Sequence, residues 1–176
     1  MRISIYTIIA IVFMQTVTSC MFIGKNMTKQ SDILYPVTHI KEFDVKGIVF
    51  SDTTEFPFLS QMNPRNYNKR FSPTLDDIVL FETVFHENYS DFRKTQPYYN
   101  PQVEITGKTY QNWGRHYFGY IDDKSQKFLL VYLTKLESRR EWRNWQRGPF
   151  VQLPGQWSIF LNLETKNLLG WDDVNK

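Results

Sequence analysis

Cys20 is the residue to which the sequence attaches the most specific chemistry. It is the only cysteine among 176 residues, and it directly follows Val17-Thr18-Ser19. Small residues before a thiol suit a peptidase that cuts there, and the thiol itself can form a thioether to a lipid. Cleavage before Cys20 would leave the rest of the chain without another thiol. Thiolate catalysis, internal disulfides and cysteine-bound metal are then excluded from the folded part.

The residues before Cys20 have the layout of a secretory signal. Arg2 supplies one positive charge, and the apolar run from Ile3 to Met14 follows it. A run of about twelve residues is too short to span a bilayer, which takes ~20 residues. A first core strand or helix is the competing interpretation. We predict that residues 1–19 are removed, residues 20–34 form a polar tether and residues 35–176 form a single domain.

Val17-Thr18-Ser19-Cys20 resembles the bacterial lipobox. The resemblance implies that Cys20 becomes diacylated and N-acylated by fatty acids such as palmitate, and that it anchors the protein to a membrane of a bacterial cell envelope. An ordinary secretory peptide cut nearby, with Cys20 left as an incidental thiol, is the alternative. Residues 21–26 contain no acid, which in Bacteroidota lipoproteins favours a periplasm-facing anchor.

A second set of candidate residues lies in the segment 139–147, which combines four arginines with two tryptophans. Trp142, Arg143 and Trp145 could stack on sugars or bases, grip a carboxylate or phosphate, or lie at a lipid headgroup layer. The structural alternative is a long connection whose tryptophans cover the core edge while the arginines reach water. We treat these three residues as candidate binding residues.

Enzymatic and metal chemistry have little support in the sequence. His39, His86 and His116 show no ligand spacing, and we predict neither a metal nor a cofactor. The carboxylate pairs Asp122-Asp123 and Asp172-Asp173 fit a hairpin turn and a frayed terminus better than an acid/base pair. With 21 basic and 18 acidic residues the chain is too close to neutral for a nucleic-acid binder.

One long helix is predicted after Ser72-Pro73-Thr74, where a hydroxyl cap, a proline in the first turn and early acids favour a helix start. Its inward stripe is apolar throughout and recurs at spacings of three or four: Leu75, Ile78, Phe81, Phe85, Tyr89 and Phe92. Such a stripe leaves the space beneath the helix without an acid or base. The preceding segment, Ser51 to Phe71, is predicted to be a long surface loop.

The rest of the chain is typical of antiparallel strands. Residues 115–121 and 128–134 flank a turn signal at 122–125 and predict a hairpin. Residues 37–50 predict one or two early strands, and residues 157–163 and 168–171 predict two late ones. The expected fold is therefore α+β in two layers, with one long amphipathic helix packed on a curved antiparallel sheet of about four strands.

This order of elements resembles the cystatin-like or NTF2-like roll. The chain from Pro73 to Trp171 is also similar to a group of small exported Bacteroidota lipoproteins. The similarity rests on three motifs: Pro73-Thr74-Leu75-Asp76-Asp77-Ile78, Arg115-His116-Tyr117-Phe118-Gly119-Tyr120-Ile121 and Asn162-Leu163-Glu164-Thr165. The resemblance implies a fold and an export route, but no activity.

Three functions are compatible with these patterns. The leading hypothesis is a non-enzymatic, membrane-anchored envelope lipoprotein that binds a protein or a glycan. The second is a small hydrolase or isomerase using the cone between helix and sheet. The third is a cystatin-like protease inhibitor, because Gln102 to Gly107 and Pro154 to Trp157 superficially resemble the two inhibitory loops, although the spacing of the first differs by one residue.

Overall fold

The computed structural model describes residues 35–53, 66–96, 105, 107–146 and 157–174. Within these ranges the chain is an α+β domain in which a long helix packs on an open, mostly antiparallel sheet of seven strands. The predicted signal, tether and lipidation at Cys20, and most of the two inhibitor-like loops, lie outside the described residues. The elements in chain order are β1 (Thr38–Ile40), β2 (Val45–Phe50), β3 (Tyr67–Phe71), α1 (Leu75–Thr95), a 3-10 turn (Gly107–Asn112), β4 (Trp113–Asp122), β5 (Lys127–Lys135), α2 (Arg139–Trp145), β6 (Trp157–Asn162), β7 (Leu168–Leu169) and α3 (Trp171–Val174).

Strand β4 is the centre of the sheet, whose order is β1-β2-β4-β5-β6-β7. On one side β4 pairs with β5, which confirms the predicted hairpin. On the other side two strands share its edge. Strand β2 runs parallel to the first half of β4, with Gly47 opposite Arg115, and β3 runs antiparallel to the second half, with Phe71 opposite Gly119.

The predicted count of about four strands is too low. Residues 37–50 form two strands, and β3 lies inside the segment predicted to be a loop. Strand β3 reads Tyr-Asn-Lys-Arg-Phe and is nowhere fully buried, so it lacks the alternation that marks a strand in sequence. The parallel pairing of β2 with β4 is possible because the connection between them contains both β3 and α1 and is long enough for a crossover.

Helix α1 begins at Leu75, after Thr74 as its N-cap. The backbone N–H of Asp77 donates to the Thr74 hydroxyl at 3.2 Å, and the backbone N–H of Thr74 donates to the Asp77 carboxylate at 2.8 Å. This capping box satisfies free amides of the first turn. Pro73 therefore lies before the cap, not in the first turn as predicted. Of the two hydroxyl residues Ser72 and Thr74, only Thr74 has an acid three residues later.

The buried face of α1 differs from the predicted stripe at three positions, since Val84 is also buried. Leu75 is 59% exposed, since it lies at the first helical position and beyond the edge of the core. Glu82 is fully buried in the middle of the apolar face. The prediction that this face is apolar throughout was wrong, and a carboxylate lies between helix and sheet.

Both faces of the sheet are covered in the described residues. On the helix face, Trp113 and Tyr117 of β4 pack in a cluster with α1, while Phe118 and Tyr120 of the same strand belong to a cluster on the second face. Helix α2 covers part of this second face. A Cβ atom at Gly114 would lie 2.6 Å from the Trp145 indole, so the glycine permits the close approach of α2. The predicted two-layer arrangement omitted this covering.

Candidate ligand-binding site

A polar network lies buried between α1 and β4. The Glu82 carboxylate accepts a hydrogen bond from the Tyr117 hydroxyl at 2.6 Å and another from the Tyr110 hydroxyl. Arg115 donates to the same carboxylate from Nε at 3.2 Å and from Nη2 at 3.4 Å. Its Nη1 donates to the carbonyl of Tyr110 at 3.0 Å and to that of Trp113. Both carboxylate oxygens are therefore bound by partners inside the fold.

The electrostatics of this network shift the pKa values of its two tyrosines and of Arg115. Burial and the nearby Glu82 charge raise the pKa of Tyr110 and of Tyr117, so both hydroxyls hold their protons and donate. Burial alone would lower the pKa of Arg115, but Glu82, Tyr117 and Tyr110 together outweigh it and the pKa is raised. Glu82 and Arg115 are both 0% exposed. The Glu82 carboxylate is thus enclosed by its partners and is not exposed to solvent.

An open concavity lies at the edge of the same region. It encloses about 390 Å³ and is lined by the following residues: Glu42, Phe43, Asp44, His86, Tyr110 and Gln111. We call it the acidic-aromatic concavity. Tyr110 joins it to the buried network, since its hydroxyl binds Glu82 while its ring meets that of His86 at 5.8 Å and nearly at right angles.

Three separate elements position the walls of the concavity. The β1–β2 turn presents Glu42, Phe43 and Asp44, α1 presents His86, and the 3-10 turn presents Tyr110 and Gln111. Asp44 has a φ of 51°, a left-handed conformation that aspartate tolerates better than most residues. Its carboxylate is bonded by Nε2 of His39 at 2.8 Å. The turn is therefore held to β1 by a side-chain hydrogen bond.

The chemistry of the acidic-aromatic concavity suits hydrogen-bond donors and apolar ring faces. The Glu42 and Asp44 carboxylates accept hydrogen bonds, and Phe43 offers partly exposed aromatic surface beside them. Sugar hydroxyls and the ammonium or guanidinium groups of a protein are donors of this kind. Among the described residues, no group of three or more His, Cys, Asp and Glu side chains is placed to hold a metal ion.

The predicted binding residues of segment 139–147 lie on the second face of the sheet. Residues 139–145 form helix α2, not the long connection of the structural alternative, and Ser138 and Glu141 form its capping box. Trp145 is 2% exposed and stacks on His116 at 4.9 Å between ring centroids. Trp142 is half-buried, and Arg143 is exposed. The structure thus places Trp145 in the core and leaves Trp142 and Arg143 accessible, so binding by these two stays a prediction.

The three histidines occupy three different environments. His39 pairs with Asp44 at the surface, His86 lines the concavity, and His116 is buried on the second face. Nε2 of His116 donates to the carbonyl of Trp145 at 3.1 Å, which ties β4 to the end of α2. Burial lowers the pKa of His116 to about 3. The ring is therefore neutral in the folded protein at ordinary pH.

We expect His116 to make stability fall below neutral pH. The unfolded chain binds this proton with a pKa near 6.5 and the folded chain only near 3, so the unfolded state holds more protons throughout that interval. The contribution is complete above pH 6.5 and is lost as the pH falls towards 3. Between pH 7 and pH 5, this group should lower the free energy of unfolding by about 2 kcal/mol, as measured by urea denaturation.

The matched variant is His116→Phe, which keeps a ring against Trp145 and cannot titrate. Its unfolding free energy should change less between pH 7 and pH 5 than that of the wild type, by about 2 kcal/mol. Parallel pH profiles for the two proteins would contradict the assignment.

The two predicted carboxylate pairs serve local structure. The Asp122 carboxylate accepts hydrogen bonds from the backbone N–H groups of Lys124 at 2.9 Å and Gln126 at 2.7 Å, which confirms the hairpin turn. Asp173 lies in the short helix α3, where a frayed terminus was predicted. Its carboxylate accepts from the backbone N–H of Gly170 at 2.9 Å and from the Gln96 side chain at 3.2 Å. The bond from Gln96 ties α3 to the C-cap of α1.

Comparison with known proteins does not assign this chain to a family. None of the helices in the described part of the chain is both long and apolar enough to cross a membrane. No protein family, no curated protein and no solved structure matches this sequence.

Proposed function

We propose that the protein is a lipid-anchored envelope protein, attached through Cys20 and facing the periplasm, whose domain is a non-enzymatic module that binds a protein or a glycan. One observation carries the binding role. The Glu82 and Arg115 side chains beneath α1 are fully buried and hydrogen-bonded within the fold, whereas the acidic-aromatic concavity is open to solvent. The anchoring role is supported by the sequence around Cys20.

The ligand proposed for the concavity carries several hydrogen-bond donors on a partly apolar frame. Glu42 and Asp44 would accept from these donors, and Phe43 would pack against the frame. A sugar ring and a basic side chain of a partner protein both have this character. His86, which belongs to α1, also lines the concavity.

We also infer that the fold is a roll of the cystatin-like or NTF2-like kind, with a curved sheet wrapped on one helix. Support comes from the single long helix packed against a sheet that is largely a meander of antiparallel strands. The parallel pairing of β2 with β4 is a departure from an antiparallel roll. An experimental structure with a flat sheet, covering α1 on one side only, would contradict this inference.

The binding role is tested with a double variant of the concavity, Glu42→Gln with Asp44→Asn. These changes keep the size of both side chains, and asparagine tolerates the left-handed backbone at position 44. Loss of charge-assisted hydrogen bonds should reduce binding at least about tenfold. The measurement is crosslinking and pull-down from native membranes, together with a glycan array.

The matched control is Asp123→Asn with Glu164→Gln, which removes the same charge from two exposed carboxylates elsewhere. It should bind as the wild type does. A concavity variant that retained every partner and glycan of the wild type would refute this site.

A further inference from the structure

Helix α2 carries a concentration of positive charge on the second face of the sheet. Arg139, Arg140 and Arg143 are exposed, and within the described residues none of them forms an ion pair. Lys46, on β2, lies near the same helix. The face is therefore strongly cationic, although the whole chain is close to neutral.

The acids of this region are already occupied. Glu137 pairs with Lys135 at 2.5 Å. The Glu141 carboxylate accepts from the backbone N–H of Glu137 at 2.7 Å and from that of Ser138 at 2.8 Å, as part of the α2 cap. Neither acid is directed to the three arginines, so their charge is available to an external anion.

An aromatic side chain lies among these cations. Trp142 is half-buried on α2, with Lys46 Nζ 5.2 Å from the centre of its ring. Its ring meets that of buried Trp145 edge-on at 5.4 Å. An indole that packs on a buried tryptophan and is bordered by cations favours the headgroup layer of a bilayer.

The entry point of the chain lies beside the same helix. The backbone N–H of Tyr35, the first described residue, donates to the carbonyl of Gln146 at 2.8 Å, directly after α2 ends. The Tyr35 ring packs edge-on against Phe50 at 4.9 Å on the second face. Residues 21–34 separate Tyr35 from Cys20 and span at most about 50 Å. With a lipid on Cys20, the α2 side is thus the part of the domain attached nearest to the membrane.

We propose that α2 forms a membrane-apposed surface, in which Arg139, Arg140 and Arg143 bind the phosphate groups of anionic lipids and Trp142 lies at the interface. The orientation rests on the proposed lipidation of Cys20, whereas the affinity of the arginines for an anionic surface does not. The acidic-aromatic concavity, which includes Tyr110 of the helix-face cluster, is a different surface and stays open to a ligand.

The test uses the full chain, purified from membranes and added to vesicles of phosphatidylcholine alone or of phosphatidylcholine with phosphatidylglycerol. Flotation reports attachment, and hydrogen exchange of the α2 amides reports contact. We expect exchange in α2 to slow at least about fivefold on the anionic vesicles relative to the neutral ones, as one arginine near an anionic surface favours contact by about that factor.

Two triple variants separate this contact from general charge effects. Arg139→Glu with Arg140→Glu and Arg143→Glu should abolish the protection of α2. The control, Lys69→Glu with Lys124→Glu and Lys166→Glu, changes the charge equally at the other end of β4 and should retain it.

The outcomes distinguish the two proposals. Failure to float with neutral vesicles would contradict the lipid anchor but not the membrane-apposed surface. The contact would then be measured by flotation with anionic vesicles. The arginine variant should bind these vesicles with an affinity about 100-fold lower than that of the wild type. Equal α2 exchange on both vesicles, or protection that survives in the arginine variant, would overturn the membrane-apposed surface.

Discussion

Replacing Glu82 by leucine is expected to lower the free energy of unfolding by about 3–5 kcal/mol, the usual cost of leaving one partner of a buried ion pair alone. Arg115 would then keep a charge at 0% exposure without its counterion. The hydroxyls of Tyr110 and Tyr117 would lose their acceptor as well. Urea unfolding followed by circular dichroism measures the loss.

A double-mutant cycle separates the pair from the packing around it. Glu82→Leu with Arg115→Leu should be less destabilised than the two single variants summed, because the second change removes the uncompensated charge. The control is Asp91→Ala, which breaks the ion pair with Lys94 on exposed α1 surface and should leave unfolding unchanged. A Glu82→Leu protein as stable as the wild type would show that the buried network is not the organising contact between α1 and β4.

Replacing Cys20 by alanine is expected to abolish incorporation of a fatty-acid analogue and to release the protein from the membrane fraction. Each buried methylene of an acyl chain contributes about 0.8 kcal/mol, so a diacylated and N-acylated cysteine anchors the chain almost irreversibly. Alanine removes the thiol and leaves the neighbouring residues unchanged. The measurements are metabolic labelling and fractionation of the cells.

The control for this variant is Ser19→Ala, which keeps a small residue before the cysteine and should be labelled and retained like the wild type. Labelling of the Cys20→Ala protein at the wild-type level would show that Cys20 does not carry the lipid.

The elements that the sequence predicted are those with strong local signals. Ile78, Phe81, Phe85 and Tyr89 recur at helical spacing and are buried on α1. The β4–β5 hairpin has an Asp-rich turn between two aromatic and β-branched runs, and Asp122 closes that turn. In both cases the information lies within a few residues, which is the range over which spacing and turn chemistry operate.

The features that escaped prediction depend on contacts between distant segments. Glu82 lies four residues after Ile78 and three before Phe85, a spacing that places it on the apolar face. Its burial is explained by its ion pair with Arg115 on β4, a residue distant in sequence. Strand β3 is held by its pairing with β4, not by its own composition. The acidic-aromatic concavity draws on three elements far apart in sequence, so no single motif marks it.

Helix α2 was missed although a signal was present. Ser138 and Glu141 have the Ser-x-x-Glu spacing of a capping box, which indicates a helix start. The short length of α2 and the density of charge in it favoured a connection instead. Trp145, placed by this helix, packs on His116 in the second-face cluster, and Gly114 provides the space.

The lipid on Cys20 is tested most directly by mass spectrometry of the N-terminal peptide from protein purified out of native membranes. We predict a peptide that begins at Cys20 and carries the mass of a thioether-linked diacylglycerol and an amide-linked acyl chain. A mature chain that begins elsewhere, or a Cys20 with a free thiol, would contradict a domain that works while anchored to a membrane.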